Sequence, residues 1–164
     1  MISITKGAFL LMAVGLIVTA AFALAEEPAE TDAVSGATTA SDTALAAFAR
    51  AIADQDTILL ASIFPEKIQI AMPGRKTVIG QKNVIKYAPL LFEKYGGCTV
   101  VYERLVIEPV AKYDDLVRDA GTADIIRSTK DRVDTVWSGA FTVYWRLADS
   151  TWTMERLLVG RKER

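Results

Sequence analysis

Histidine is absent from the 164 residues, and cysteine occurs once, at Cys98. Without histidine the chain lacks the commonest general base, the serine and cysteine triads that depend on it, and most zinc sites. A single cysteine cannot form an internal disulfide, even in an oxidising compartment. Cys98 follows Gly96-Gly97 at an expected strand start, where a small half-buried residue is the plainer reading and a reactive thiol the sharper one. Positive charge is not in excess either. Lys and Arg number 19 against 20 Asp and Glu, a formal net charge of −1, which gives no footprint for nucleic acid or an anionic membrane as the main partner. There is no internal repeat, and the long apolar run is confined to residues 7–24.

That run has Lys6 before it and ends in Ala23-Leu24-Ala25 ahead of Glu26, the charged, apolar, small-x-small order of a secretory signal peptide. Cleavage after Ala25 predicts an exported protein, periplasmic or secreted, with no stable membrane insertion. Loss of Lys6 takes the formal charge from −1 to −2. An uncleaved N-terminal anchor is the alternative, because the run approaches the ~20 apolar residues of a spanning helix. No cysteine lies near the junction to carry a lipid. Residues 26–40, EEPAETDAVSGATTA, are small and polar without an aliphatic period, and read as a flexible linker. Residues 41–164 are enough for one domain with its own core.

Within that domain, Ser41 or Asp42 is placed to cap a helix whose apolar positions are Leu45, Phe48, Ala49 and Ile52. Asp54-Gln55-Asp56 interrupts it, and a short helix from Thr57 to Ile63 ends at Phe64-Pro65. Residues 66–72 alternate as a half-exposed strand, closed by Pro73-Gly74. A third helix, residues 81–94, carries Val84, Tyr87, Ala88 and Leu91, and Pro89 should bend or split it. Strands follow over residues 99–110 and 115–126. The last hairpin aligns Val133, Thr135, Trp137, Gly139, Phe141, Val143, Trp145 and Leu147 on one face. After a turn at residues 148–151 it aligns Trp152, Met154, Arg156 and Leu158. Helices first and long antiparallel strands afterwards imply an α+β domain: three helices of the N-terminal half packed on a curved antiparallel sheet of about four to six strands.

This order resembles the nuclear-transport-factor-two-like fold, the cone-shaped family that includes SnoaL-like polyketide cyclases, ketosteroid isomerase and scytalone dehydratase. Three stretches carry the resemblance: Asp54-Gln55-Asp56 with Ile63-Phe64-Pro65, Asp115-Leu116-Val117 running to Gly121-Thr122, and residues 139–146 (GAFTVYWR) followed by residues 150–154 (STWTM). It covers about residues 41–161, and none of its motifs is catalytic. The resemblance implies a pocket between the concave sheet face and the helices, lined by Phe48, Met72, Tyr87, Leu91, Trp137, Phe141, Trp152, Met154 and Arg156. It also implies a homodimer formed through the sheet.

Arg156 matches a position where relatives often place a polar pocket residue. A buried guanidinium requires a counter-charge, so Arg156 either pairs with an inward-facing Asp119 to close the cone, reaches the rim, or anchors an anionic or carbonyl-bearing ligand. The aromatic set Trp137, Phe141, Trp145 and Trp152 is equally open between plain core and a platform for a flat ligand. Residues 70–74, where ketosteroid isomerase keeps its aspartate base, hold no ionisable side chain. The two aspartates and arginine of limonene-epoxide hydrolases have weak counterparts in Arg132 and Asp134, two apart, with Asp119 as a third member; a histidine-free hydrolase would rely on Asp119, Asp134 and Arg156. Three functions therefore remain: an exported non-catalytic domain binding a small apolar or anionic ligand or a second copy of itself; a histidine-free hydrolase or lyase using those Asp and Arg residues; and an accessory domain holding a protein partner. None of the three calls for a metal or a cofactor.

Overall fold

The computed structural model describes residues 32–161; the signal-peptide and membrane-anchor readings of residues 1–25 lie outside them. Four helices come first: α1 (Asp32–Asp54), α2 (Thr57–Ile63), α3 (Gln81–Ile85) and α4 (Ala88–Tyr95). Two short strands, β1 (Gln69–Ala71) and β2 (Val78–Ile79), separate the second helix from the third. The second half is all strand: β3 (Thr99–Pro109), β4 (Leu116–Ser128), β5 (Val133–Ala148) and β6 (Thr151–Arg161). They form one sheet in the order β2-β1-β6-β5-β4-β3. Every neighbouring pair is antiparallel except β1 and β6, which run parallel, so the sheet is mixed.

The first helix corrects the expected linker and cap. α1 starts at Asp32, so the helix takes up residues 32–40, and Ser41 lies mid-helix. Val34, Ala37 and Ser41 are buried, and Ala44, Leu45 and Phe48 continue the same stripe to Ala51 and Ile52. This is a helical face in which small residues replace the usual leucines. At its far end Gln55 turns with φ at 56°. Asp56 then caps α2, accepting from the amides of Ile58 and Leu59 at 2.9 Å. The helix expected over residues 81–94 is two helices, because Pro89 sits in the first turn of α4, where it costs no hydrogen bond, and the chain breaks just before it.

Three β-bulges shape the sheet. Leu105 is the extra residue on β3, Val136 on β5 and Glu155 on β6. Each shifts the alternation by one, so the inward face does not follow strict period two along a whole strand. Inward residues on β5 run from Trp137 through Gly139, Phe141 and Val143 to Trp145, as the alternation predicts. Val133, on the far side of the Val136 bulge, is 70% exposed. Gly121 on β4 permits the bend: a Cβ there would lie 2.1 Å from the Glu103 carbonyl and 2.8 Å from the Phe141 ring. Ile52, Leu60, Ile68, Val117 and Val143 are fully enclosed between sheet and helices, and Cys98 is buried beside them as a free thiol.

The β5–β6 turn puts both central residues, Asp149 and Ser150, at positive φ, 49° and 61°. That is the conformation of a tight hairpin turn, which favours glycine at the second position. Ser150→Gly should therefore raise stability by about 0.5–1 kcal/mol, read as a higher urea midpoint at unchanged slope; a fall in midpoint would show that the Ser150 side chain holds the turn.

Candidate functional site

The concave face of the sheet and the four helices enclose a cavity of about 330 Å³. Its floor is Val100 and Tyr102 on β3, Ala123 and Ile125 on β4, Trp137, Phe141, Val143 and Trp145 on β5, and Met154, Leu157 and Val159 on β6. Ala44, Leu45 and Phe48 of α1 form one wall, with Leu60 and Ile63 of α2 beside them. Val84, Tyr87, Leu91 and Tyr95 of α3, α4 and the chain between them form another. The lining contains no Asp, Glu, Lys or Arg; its side chains that carry a polar atom are Tyr87, Tyr95, Tyr102, Trp137 and Trp145. Tyr87 is half-exposed, which sets the mouth of the cavity between α3 and α4.

Seven of the nine residues expected in the pocket line it: Phe48, Met72, Tyr87, Leu91, Trp137, Phe141 and Met154. Two do not. Trp152 lies in a neighbouring groove with Gly36, Thr43 and Ser150, its indole so close to α1 that a Cβ on Gly36 would fall 2.6 Å from Nε1. Arg156 is on the outer face, exposed, with Nη2 donating to the Gln69 side chain at 3.1 Å. The Glu155 bulge is the cause: Met154 pairs opposite Trp145 and Arg156 opposite Tyr144, so beyond the bulge Leu157 and Val159 point inward and Arg156 and Leu158 point out. Glu155 itself pairs with Arg146, which also donates to Asp115 at 2.7 Å. Those two hydrogen bonds hold the Arg146 guanidinium above its ordinary value.

Asp119 faces inward and is fully buried, but its partner is not Arg156. Arg104 Nε donates to both carboxylate oxygens at 3.1 and 3.2 Å, and Ser41 Oγ donates to Oδ2 at 2.5 Å. Arg104 Nη2 reaches on to Asp42 at 2.6 Å. Burial works against the Arg104 charge and is outweighed by the hydrogen bonds to Asp119 and Asp42, so the guanidinium is held charged. This cluster fastens α1 to β3 and β4 outside the cavity. Arg104 shares the inward phase of Val100 and Tyr102, and an arginine in that phase requires a buried carboxylate; that signal was present in the sequence, while the contribution of Ser41 required α1 to begin earlier than residue 41. Asp134 lies at the opposite end of β5, paired with Arg132 at 2.8 Å. Asp119, Asp134 and Arg156 therefore do not converge, and the water-activating trio expected of a histidine-free hydrolase is not assembled. Among the described residues no group of three His, Cys, Asp or Glu side chains is placed to hold a metal ion.

Trp145 carries the one buried side-chain polar atom without a partner among the described residues. The residue is enclosed between the cavity and the groove, and its Nε1 hydrogen meets no acceptor.

No protein-family profile matches this sequence, and no curated protein is similar to it in sequence. Solved structures are similar in fold. A ketosteroid isomerase-like protein from Erwinia carotovora superposes with a TM-score of 0.62 at 17% identity, over 82% of this chain and 99% of that one. A protein of unknown function from Mycobacterium tuberculosis gives 0.65 at 15% identity, over 77% and 72%. A nuclear-transport-factor-two-like protein with a cystatin-like fold from Novosphingobium aromaticivorans gives 0.62 at 14%, over 77% and 82%. The chain has the nuclear-transport-factor-two-like, cystatin-like fold.

The buried cluster makes a quantitative contrast. Arg104→Ala leaves the Asp119 carboxylate enclosed without a counter-charge and should cost about 3–5 kcal/mol. Asp119→Ala should cost a similar amount and the double variant less than the sum, whereas Arg156→Ala should stay within about 0.5 kcal/mol. Urea unfolding of the four variants decides; a loss at Arg156 as large as that at Arg104 would reinstate the Asp119–Arg156 pair.

Proposed function

We propose that the chain binds one small, uncharged, largely apolar molecule in the cone and does not chemically change it. The observation that carries this is the absence of any carboxylate, ammonium or guanidinium from the lining of an enclosed 330 Å³ space. That volume is at the small end of the ~300–1,000 Å³ of ligand pockets, and such pockets are lined mainly by apolar and aromatic groups. An ionised ligand would lose its hydration there and meet no opposite charge, which favours the apolar alternative over the anionic one. The isomerase-like name of the Erwinia protein suggests proton transfer as a competing function. A base able to take a proton from carbon would have to stand within hydrogen-bond reach of the ligand, and the lining supplies only tyrosines.

Titration with the neutral dye Nile red should show saturable binding at one site per chain. Ala123→Phe, which fills the floor, should weaken it at least tenfold while the circular dichroism stays unchanged; undiminished binding would place the dye elsewhere and remove the proposal.

A further inference from the structure

We infer that the mouth of the cavity is a docking surface for an anionic lipid bilayer, from which the apolar ligand passes into the cone. The ligand-transfer half of this rests on the binding function proposed above; the docking half stands on the surface itself. The formal charge of the whole chain is −1, yet the segment that carries α3 and α4 is one-sided. Between Pro73 and Tyr95 the exposed charges are Arg75, Lys76, Lys82, Lys86 and Lys94, with Glu93 the single anion. Each cation stands within three residues along the chain of a residue that lines the cavity. Arg75 and Lys76 occupy the turn between the lining residues Met72 and Val78, Lys82 and Lys86 flank Val84 on α3, and Lys94 sits 5.1 Å from the ring centre of Tyr95. Arg127 of β4 adds a further cation, donating to the Lys94 carbonyl at 2.7 Å. Glu66 and Lys67, which precede β1, are of opposite sign, and Arg127 stands opposite Asp134 in the β4–β5 register.

The same segment exposes large apolar side chains. Ile79 is 60% accessible, Tyr87 53% and Leu90 62%. Cations interspersed with protruding aliphatic and tyrosine side chains match a bilayer interface, where lysines meet lipid phosphates and apolar side chains enter the acyl boundary. An acidic protein partner would satisfy the lysines but would not require the apolar residues to surround the entrance of a cavity that is itself apolar. Among the described residues no helix is long and apolar enough to cross a membrane. A ligand that leaves a bilayer through this mouth need not cross water, and Tyr87, which is both exposed and part of the lining, marks the path.

Co-sedimentation of the full chain with vesicles tests the docking. The apolar run at residues 7–24 would enter any vesicle, so the readout is the ratio of partition into phosphatidylcholine vesicles containing 30% phosphatidylserine to partition into pure phosphatidylcholine. That ratio should exceed ten at low salt and collapse at 0.5 M NaCl. Paired reversal of the mouth, Lys82→Glu with Lys86→Glu, should lower it at least tenfold, at about fivefold per charge. The same charge change on the outer sheet face, Arg118→Glu with Arg156→Glu, should leave it intact. A wild-type ratio near one, a ratio that survives the mouth reversal, or equal losses in the two paired variants would each overturn the inference. Nile red binding without vesicles separates the two proposals: if it persists while the ratio is near one, docking alone fails. If it is absent while docking holds, the cavity function fails and ligand transfer falls with it.

Discussion

The architecture depends on one buried charge. Asp119 is enclosed in the face that β4 turns toward the helices, and a carboxylate in that position is tolerated only where donors surround it. Ser41 and Arg104 provide them, one from α1 and the other from β3, and Arg104 carries the connection on to Asp42 one residue along the helix. Three elements distant in sequence are thereby held in one register. The consequence reaches the cavity, because α1 fixed at Ser41 and Asp42 presents Ala44, Leu45 and Phe48, the next turns of the same face, as a wall of the cone. Hydrophobic contact could hold this helix against the sheet, but small residues such as Ala37 slide easily; the polar cluster sets its position along the axis.

Polarity is thus segregated. The inward ionic group lies under α1, where it organises the fold, and the cavity a few residues further along the same strands contains no ionic group. Separation of this kind suits retention of an uncharged molecule, since any charge inside the cone would be costly when empty and would favour water over an apolar occupant.

Much of the site could be read from the chain. Phe48, Met72, Tyr87, Leu91, Trp137, Phe141 and Met154 fall on the cavity lining, where local periodicity reports the inward face wherever it is uninterrupted. Arg156 was misplaced by one bulge at Glu155, and Val133 by another at Val136. Nothing in either residue type signals a bulge; the extra residue is decided by how strands of a curved sheet fit their neighbours. The N-terminal half of α1 was hidden for a different reason. Val34, Ala37 and Ser41 repeat at helical spacing, but a stripe of small side chains has the composition of a linker until the sheet it packs against is known.

The sequence by itself determined the α+β order, the inward row of β5, the break before Pro89 and the exclusion of histidine chemistry, because each follows from residue types and their local spacing. Only the tertiary structure decided that Asp119 pairs with Arg104, that β1 runs parallel to β6, and that the cavity carries no charge. The physical reason is common to all of these: pairing across strands and the position of a charge relative to a cavity are set by contacts between residues tens of positions apart, and the spacing within one segment carries no record of them.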